Sequence, residues 1–236
     1  LIGHPHQAIE YLDIADLVIF RNTGSILGFQ DYFNKFLSIV KEKNVSTFNS
    51  FDGKADIKGK QYLLDLTAEG YPVIPTIENI ENVEKLGKND KYIIKIKNGA
   101  DSIGMEILTR QELLNKKPNG KLIQPLVNFE YEVSFYYLDK IFQYALYAPN
   151  KNKRWELTEY KPTSKDLEFA SKFIEWNNIK TGITRVDACR CEDDSLLLVE
   201  LEDLNPFLSI ELLSQNKRER FISNMINTLK NLIESN

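Results

Sequence analysis

The stretch from Gly182 to Leu208, GITRVDACRCEDDSLLLVELEDLNPFL, constrains this chain more than any other. Ile183 to Cys191 alternates and is partly β-branched, Glu192-Asp193-Asp194-Ser195 is a polar turn, and Leu196 to Glu202 is a second apolar run. That pattern predicts a β-hairpin. With Asp193-Asp194 at the tip, Asp187 opposes Glu200 and Arg185 opposes Glu202. A four-residue loop closing at Cys191 and Leu196 gives the same register. Side chains alternate across a strand, so all four share one face. Two directly opposed carboxylates repel and weaken the pairing. A hard divalent cation resolves the conflict, because Mg²⁺ takes carboxylate oxygens and keeps waters and substrate phosphates as its other ligands. Acidic residues on a strand are usually just its solvated face. Here Val186, Leu198, Val199 and Leu201 flank them and are too apolar for a freely wet edge. The favoured reading makes Asp187, Glu200 and Glu202 metal ligands.

A chain of 236 residues is one large domain or two or three small ones. Hydrophobic residues at 42% and charged residues at 27% fit a globular protein able to bury a sizeable core. A net charge of -4 advertises neither a nucleic-acid nor an anionic-membrane partner. The basic run Lys151-Asn-Lys-Arg154 is too short for a nucleic-acid stripe and reads as solvated or anion-binding. No run approaches the length of a membrane span, and no secretory signal is visible. Cys189 and Cys191 share one strand, a poor spacing for a disulfide; free thiols point to a reducing cytoplasm. With only His4 and His6, no zinc cluster of known spacing assembles. A start at Leu1 rather than Met makes a fragment or processed product an expectation.

In chain order, the pattern predicts a helical Gln7 to Leu12, a strand at 15–20, a helix at 31–43 and a strand at 45–48. A helix from Asp56 to Glu69 ends at Gly70, which suits a left-handed cap. Tyr71 to Pro75 must be extended, since two prolines forbid helix. Thr76 is expected to cap a helix to about Leu86. Strands follow at 91–96 and 105–108, then Thr109-Arg-Gln-Glu112 as a capping box. Lys121 to Val127 is a strand whose Pro125 argues for an edge or an interrupted ladder. Residues 130–138 and 141–148 form a hairpin about Asp139-Lys140. Ser164 caps a helix to about Asn177, and Ser214 opens a final amphipathic helix to Ile233.

Between the strands at 91–108 lies Lys97-Asn-Gly-Ala-Asp-Ser-Ile-Gly104. Its backbone N–H groups, from Gly99 to Gly104, suit phosphate oxygens, since glycine permits close approach. It is not a P-loop, because no Gly-Lys-Ser/Thr ends it. An ordinary hairpin turn is the plainer explanation. Lys95 sits mid-strand among apolar residues, where lysine needs an anionic partner. That partner is either a structural carboxylate or a phosphate.

Together these pieces resemble the ATP-grasp superfamily, nearest its glutathione-synthetase-like carboxylate–amine ligases. The resemblance is carried by Lys60 with Leu63, Leu64, Gly70 and Pro75-Thr76, by Ile94-Lys95-Ile96 with Gly99 to Gly104, and by Gln124-Pro-Leu-Val127. It continues through Glu132-Val-Ser134, Arg185-Val-Asp187 and Glu200-Leu-Glu202 to Asn205-Pro206. It implies an α/β (α+β) fold in which two α/β subdomains clasp ATP. The expected division is 1–55 as a partial N-terminal region, 56–124 as the small subdomain and 125–236 as the C-terminal subdomain with the Mg²⁺ site.

The resemblance also implies roles. Lys60 and Lys95 look like the nucleotide lysines, joined by Gly99, Ser102 and Gly104 of the loop. Gln124, Pro125, Leu126 and Val127 look like the hinge whose backbone meets adenine. Glu132, with Glu130 as rival, is similar to the ribose acid. Asp187, Glu200 and Glu202 fall on the ligands of two Mg²⁺ ions, with Mn²⁺ as an alternative. Arg185 looks like the residue that steadies the transferred phosphoryl group or the carboxylate substrate. Tyr144-Ala-Leu-Tyr-Ala-Pro149 stands where relatives carry a His-Ala-Val-x-Lys-type strand, so Lys151, Lys153 or Arg154 would supply the basic group. The implied activity is ligation of a small-molecule carboxylate to an amine with release of ADP and phosphate. A non-catalytic ATP-binding module and a kinase-like phosphotransferase are the alternatives. No nucleic acid or membrane partner is expected, and a homodimer is compatible with the sequence.

Overall fold

The computed structural model describes residues 5–21, 29–97 and 104–235. Its centre is a five-stranded antiparallel sheet in the order β10-β9-β6-β7-β8, with β6 Tyr131–Leu138, β7 Ile141–Ala148, β8 Thr158–Tyr160, β9 Ile183–Arg190 and β10 Leu196–Glu202. The expected hairpin about Asp139-Lys140 is present, with Asp139 at φ +55° in its turn.

The two faces of this sheet differ because alternation sorts them. On one face Val133, Phe135, Ala145, Val186 and Ala188 pack beneath Phe169, Ala170, Phe173 and Ile174 of helix α4, Ser164–Asn177. The same core takes Tyr62, Leu63 and Leu66 from helix α2, Gln61–Ala68. The other face is half apolar. Tyr136, Leu138, Tyr144, Leu146 and Ile183 pack under Leu213 and under Phe221 of helix α5, Gln215–Glu234. The rest of that face carries Glu132, Ser134, Arg185 and Asp187, and these stay partly open.

The hairpin β9–β10 corrects the predicted register in part. Asp187 pairs with Glu200 and Arg185 with Glu202 as expected, but nearer the tip Arg190 pairs with Leu196 and Ala188 with Leu198. A bulge between Leu198 and Glu200 absorbs the difference. Leu196, Leu198 and Leu201 all enter the main core, and a regular strand cannot send both 198 and 201 inward. The extra residue flips the parity and turns Glu200 to the open face. The outer edge of β10 is met at Leu198 by the extended segment after α2. The Leu198 N–H donates to the Pro72 carbonyl (2.9 Å), and the Ile74 N–H donates back (3.1 Å).

A smaller antiparallel sheet has the order β4-β3-β5, with β3 Lys91–Ile96, β4 Glu106–Thr109 and β5 Lys121–Pro125. Tyr92, Ile94 and Ile123 face its own core with Val83 and Leu86. Ile93 and Lys95 fall on the opposite face. Pro125 ends an edge strand, as its missing N–H requires. Helix α3, Arg110–Lys116, opens with the predicted Thr109–Glu112 capping box.

At the N-terminus β1, Leu17–Ile19, pairs in parallel with β2, Ser46–Phe48, across helix α1, Gln30–Glu42. Phe20, Phe33, Phe36 and Phe51 form its aromatic core.

Three helix expectations change. Asp56 to Glu69 is a 3-10 turn at Asp56–Lys58 and then α2, broken at Gly59, whose φ is +72°. Thr76 caps nothing: it is buried, accepts from Gln124 Nε2 (2.8 Å), and leaves Asn79 to cap a 3-10 helix at Ile80–Leu86. The cap of α4 is Thr163, with Asp166 completing the box, rather than Ser164. No helix among the described residues is long and apolar enough to cross a membrane.

Candidate functional site

The open half of the large sheet gathers three carboxylates. One oxygen each from Asp187, Glu200 and Glu202 lies within 4.8 Å of the others. Asp187 accepts from Ser134 Oγ (2.6 Å) and from Arg185 Nε (3.0 Å) and Nη2 (2.9 Å). Arg185 Nη2 also reaches Glu202 Oε1 at 2.7 Å. Glu200 Oε1 accepts from Lys60 Nζ at 2.7 Å.

Lys60 arrives there through a reciprocal clasp of backbone and carboxyl groups. The Asp56 carboxyl accepts from the N–H groups of Asp203 (2.7 Å) and Leu204 (3.0 Å), just past β10. Asp203 accepts in return from the N–H groups of Ala55 (3.3 Å) and Ile57 (3.2 Å). Burial, then the nearby Asp203, raises the Asp56 carboxyl well above the usual range. Buried Tyr62 adds its hydroxyl as acceptor for the Leu201 N–H (3.1 Å), so α2 and β10 are joined on both sides of Lys60.

The electrostatics are uneven. Burial would raise Glu200, but Lys60 and then Lys95 and Arg185 outweigh it and hold its pKa below the ordinary value. Glu202 goes the other way. Burial is the largest cause, Arg185 opposes it, and the negative charges of Asp187, Asp56 and Glu200 help push it up to about 8. Lys95 is lowered by burial and partly restored by Glu200. Its other charged neighbours are Lys60, Arg154 and Glu132, so it lies between two groups of charge.

The second group is the pair of Arg154 Nε and Glu132 Oε2, at 3.0 Å. Lys153 is not part of it, but pairs with Glu156 in solvent. Glu130 is exposed, whereas Glu132 is half-buried. In the 124–127 segment the Gln124 side chain is buried on Thr76, and the Leu126 N–H donates to the Lys91 carbonyl (3.0 Å). Pro125 has no N–H, which leaves Val127 as the remaining backbone donor. Gly99 and Ser102 lie outside the described residues. Gly104 has φ +71°, and a Cβ there would sit 2.6 Å from Ile96 Cδ1, so glycine suits this turn.

From sequence, Ser134 is named beside Glu132 without a role and Tyr136 is not named. Both share a face with Glu132, and that alternation was readable. Tyr136 lies against Arg185, and burial raises its phenol above the ordinary value. Arg21 Nη2 donates to the Pro206 carbonyl at 2.8 Å, one residue from the Phe207 carbonyl that takes Arg185 Nη1.

No family model and no curated protein matches the sequence. Solved structures do match. D-cycloserine synthetase DcsG gives a TM-score of 0.63 at 17% identity, over 91% of this chain and 90% of that one. D-alanine–D-alanine ligase from Bacillus anthracis complexed with ATP gives 0.64 at 11% identity, over 100% and 85%. The ATP-grasp ligase PsnB, complexed with minimal precursor, Mg and ADP, gives 0.54 at 17% identity, over 84% and 73%. At these identities the likeness is one of fold.

Proposed function

We propose that this chain, which has the ATP-grasp carboxylate–amine ligase fold, joins a carboxylate to an amine at the expense of ATP, with Mg²⁺ as the metal. The observation that carries the proposal is the meeting of three carboxylates on β9 and β10 with two lysines from separate elements, Lys60 and Lys95. Such a cluster has little use in a fold alone. The donor set fits a hard cation: it is all oxygen, and at Glu202 the neighbouring acids add to the burial that raises its carboxyl. Asp187, Glu200 and Glu202 would hold one or two ions, which would supply positive charge against the transferring phosphoryl group.

The remaining work falls to side chains. Lys60 exchanges its hold on Glu200 for a phosphate, and Lys95 binds a second phosphate oxygen from the small sheet. Both are point charges suited to that task. Glu132 accepts the ribose hydroxyls beside Arg154, and Val127 offers its N–H to adenine. Arg185 stays charged at every working pH, since Asp187 and Glu202 outweigh its burial. It steadies the phosphoryl group as the acid becomes an acyl phosphate, which the amine then displaces.

One observation favours a second reading, a nucleotide-binding module without ligation. The site face of β7 presents Tyr144, Leu146 and Ala148, with no basic group. Incubation of the full chain with ATP, Mg²⁺ and a library of acids and amines separates the readings. Ligation releases ADP and free phosphate only when both substrates are present. A kinase-like transfer would put phosphate on the product, and a silent module would bind ATP without turnover.

A further inference from the structure

We propose that helix α5 is a self-association surface, pairing antiparallel with the α5 of a second copy about a two-fold axis near Asn224. One side of α5 belongs to the fold, where Phe221, Met225, Leu229 and Leu232 pack against the large sheet. A second apolar stripe does not. Ile222, Ile226 and Ile233 are 41%, 47% and 45% exposed. At 3.6 residues per turn they fall within about 40° of one another, roughly a quarter-turn from the core side. Single exposed isoleucines are ordinary on a protein surface. Three aligned along one helix form a strip of the kind that marks a contact.

Charge selects the occupant. Glu219 and Lys230 lie about 20–40° further round, both on the same flank of the stripe. Glu219 takes a hydrogen bond from Gln215 (2.8 Å), and neither residue makes an ion pair among the described residues. Equivalent flanks of two helices meet when the helices run antiparallel, so flanking charges set orientation. A two-fold axis passing between Asn224 and Met225 brings Glu219 of each copy against Lys230 of the other, because the contact is isologous. The axis that sets Ile222 against Ile226 of the partner subunit passes at Asn224, about 0.75 Å away. Charge and apolar stripe therefore specify one register. A parallel pairing would put the two flanks on opposite sides of the contact and leave both charges unmatched. Arg218 lies on the other flank, clear of Lys230, and Lys217 is already paired with Glu159 (2.6 Å).

Sedimentation velocity of the full chain over about 1–300 µM tests this, the range that suits a small interface. The expected result is a monomer giving way to a dimer as concentration rises. Ile226→Lys should abolish the dimer with the melting temperature of the monomer unmoved, since the side chain is half exposed. Glu219→Lys and Lys230→Glu should each weaken association at least about ten-fold, because each sets like charges face to face twice. The two substitutions together should restore it. A wild type that stays monomeric throughout overturns the proposal and leaves the stripe to a different partner. A dimer that survives Ile226→Lys overturns it too, as does a double charge variant no stronger than the singles.

Discussion

Arg185 and Arg190 stand on the same strand, on opposite faces, and each is ion-paired and largely shielded from water. Arg190 sits in a closed network. It meets Asp166 by an ion pair, Tyr131 and Tyr160 hydroxyls at 3.2 Å each, and the Asp194 carbonyl at 2.8 Å. Asp166 is filled from the other side by the Thr163 N–H and the Tyr160 hydroxyl. Burial would raise Asp166, but Arg190 and Thr163 outweigh it and leave it below the ordinary value. Arg185 sits in an unbalanced cluster, where Glu202 is forced up to about 8. The difference teaches that pairing outweighs burial at Asp166, whereas at Glu202 burial and the neighbouring acids outweigh Arg185, the kind of perturbed group that functional sites concentrate.

The comparison breaks most visibly at the carboxylates. Asp187→Asn with Glu200→Gln is expected to lower ADP release by more than about 10³-fold. Retained turnover would rule out the site assignment. On the other face, Arg190→Met strands a buried Asp166. Denaturant unfolding should show a loss of about 3–5 kcal/mol, while turnover per folded molecule is kept. A fall in turnover with stability intact would erase the distinction between the two arginines.

Ligand linkage sharpens the contrast further. Mg²⁺ and ATP at a hundred times Kd should stabilise wild type by about 2.7 kcal/mol. The same gain is expected in Arg190→Met and none in the double carboxylate variant, as read by thermal shift. The smallest effect concerns pH. Glu202 in the folded chain binds its proton up to about 8, against 4.5 for an ordinary glutamate. Between those values the folded state holds more protons than the unfolded one, so stability of the metal-free protein should fall as pH rises through that window. Glu202→Gln should flatten the slope, and a rising slope in wild type would contradict the assignment.

Much of the fold was legible, for a stated reason in each case. The hairpins at 130–148 and 183–202 follow from alternation and polar turns. Thr109–Glu112 follows from the pattern of a capping box. Gly70, at φ +76°, ends α2 as a left-handed cap should. The misses were also local. Gly59 split a predicted helix because its backbone is positive in φ, and Thr76 traded a cap for a buried hydrogen bond to Gln124, a partner far along the chain. In the candidate site, the pairing of Asp187 with Glu200 was readable, while the contact of Arg21 with Pro206 was not. Nothing near Arg21 in sequence records it.

Periodicity is a property of neighbours, so residues 183–202 alone were enough to imply two strands with Asp187 facing Glu200. The bulge is different. It exists because Leu198 and Leu201 are both drawn into one core, and only that packing decides which way Glu200 points. The same holds for Lys60 and Lys95. Their meeting with the acids depends on the Asp56–Asp203 clasp and on the small sheet folding over the large one, which are long-range events that no local pattern records.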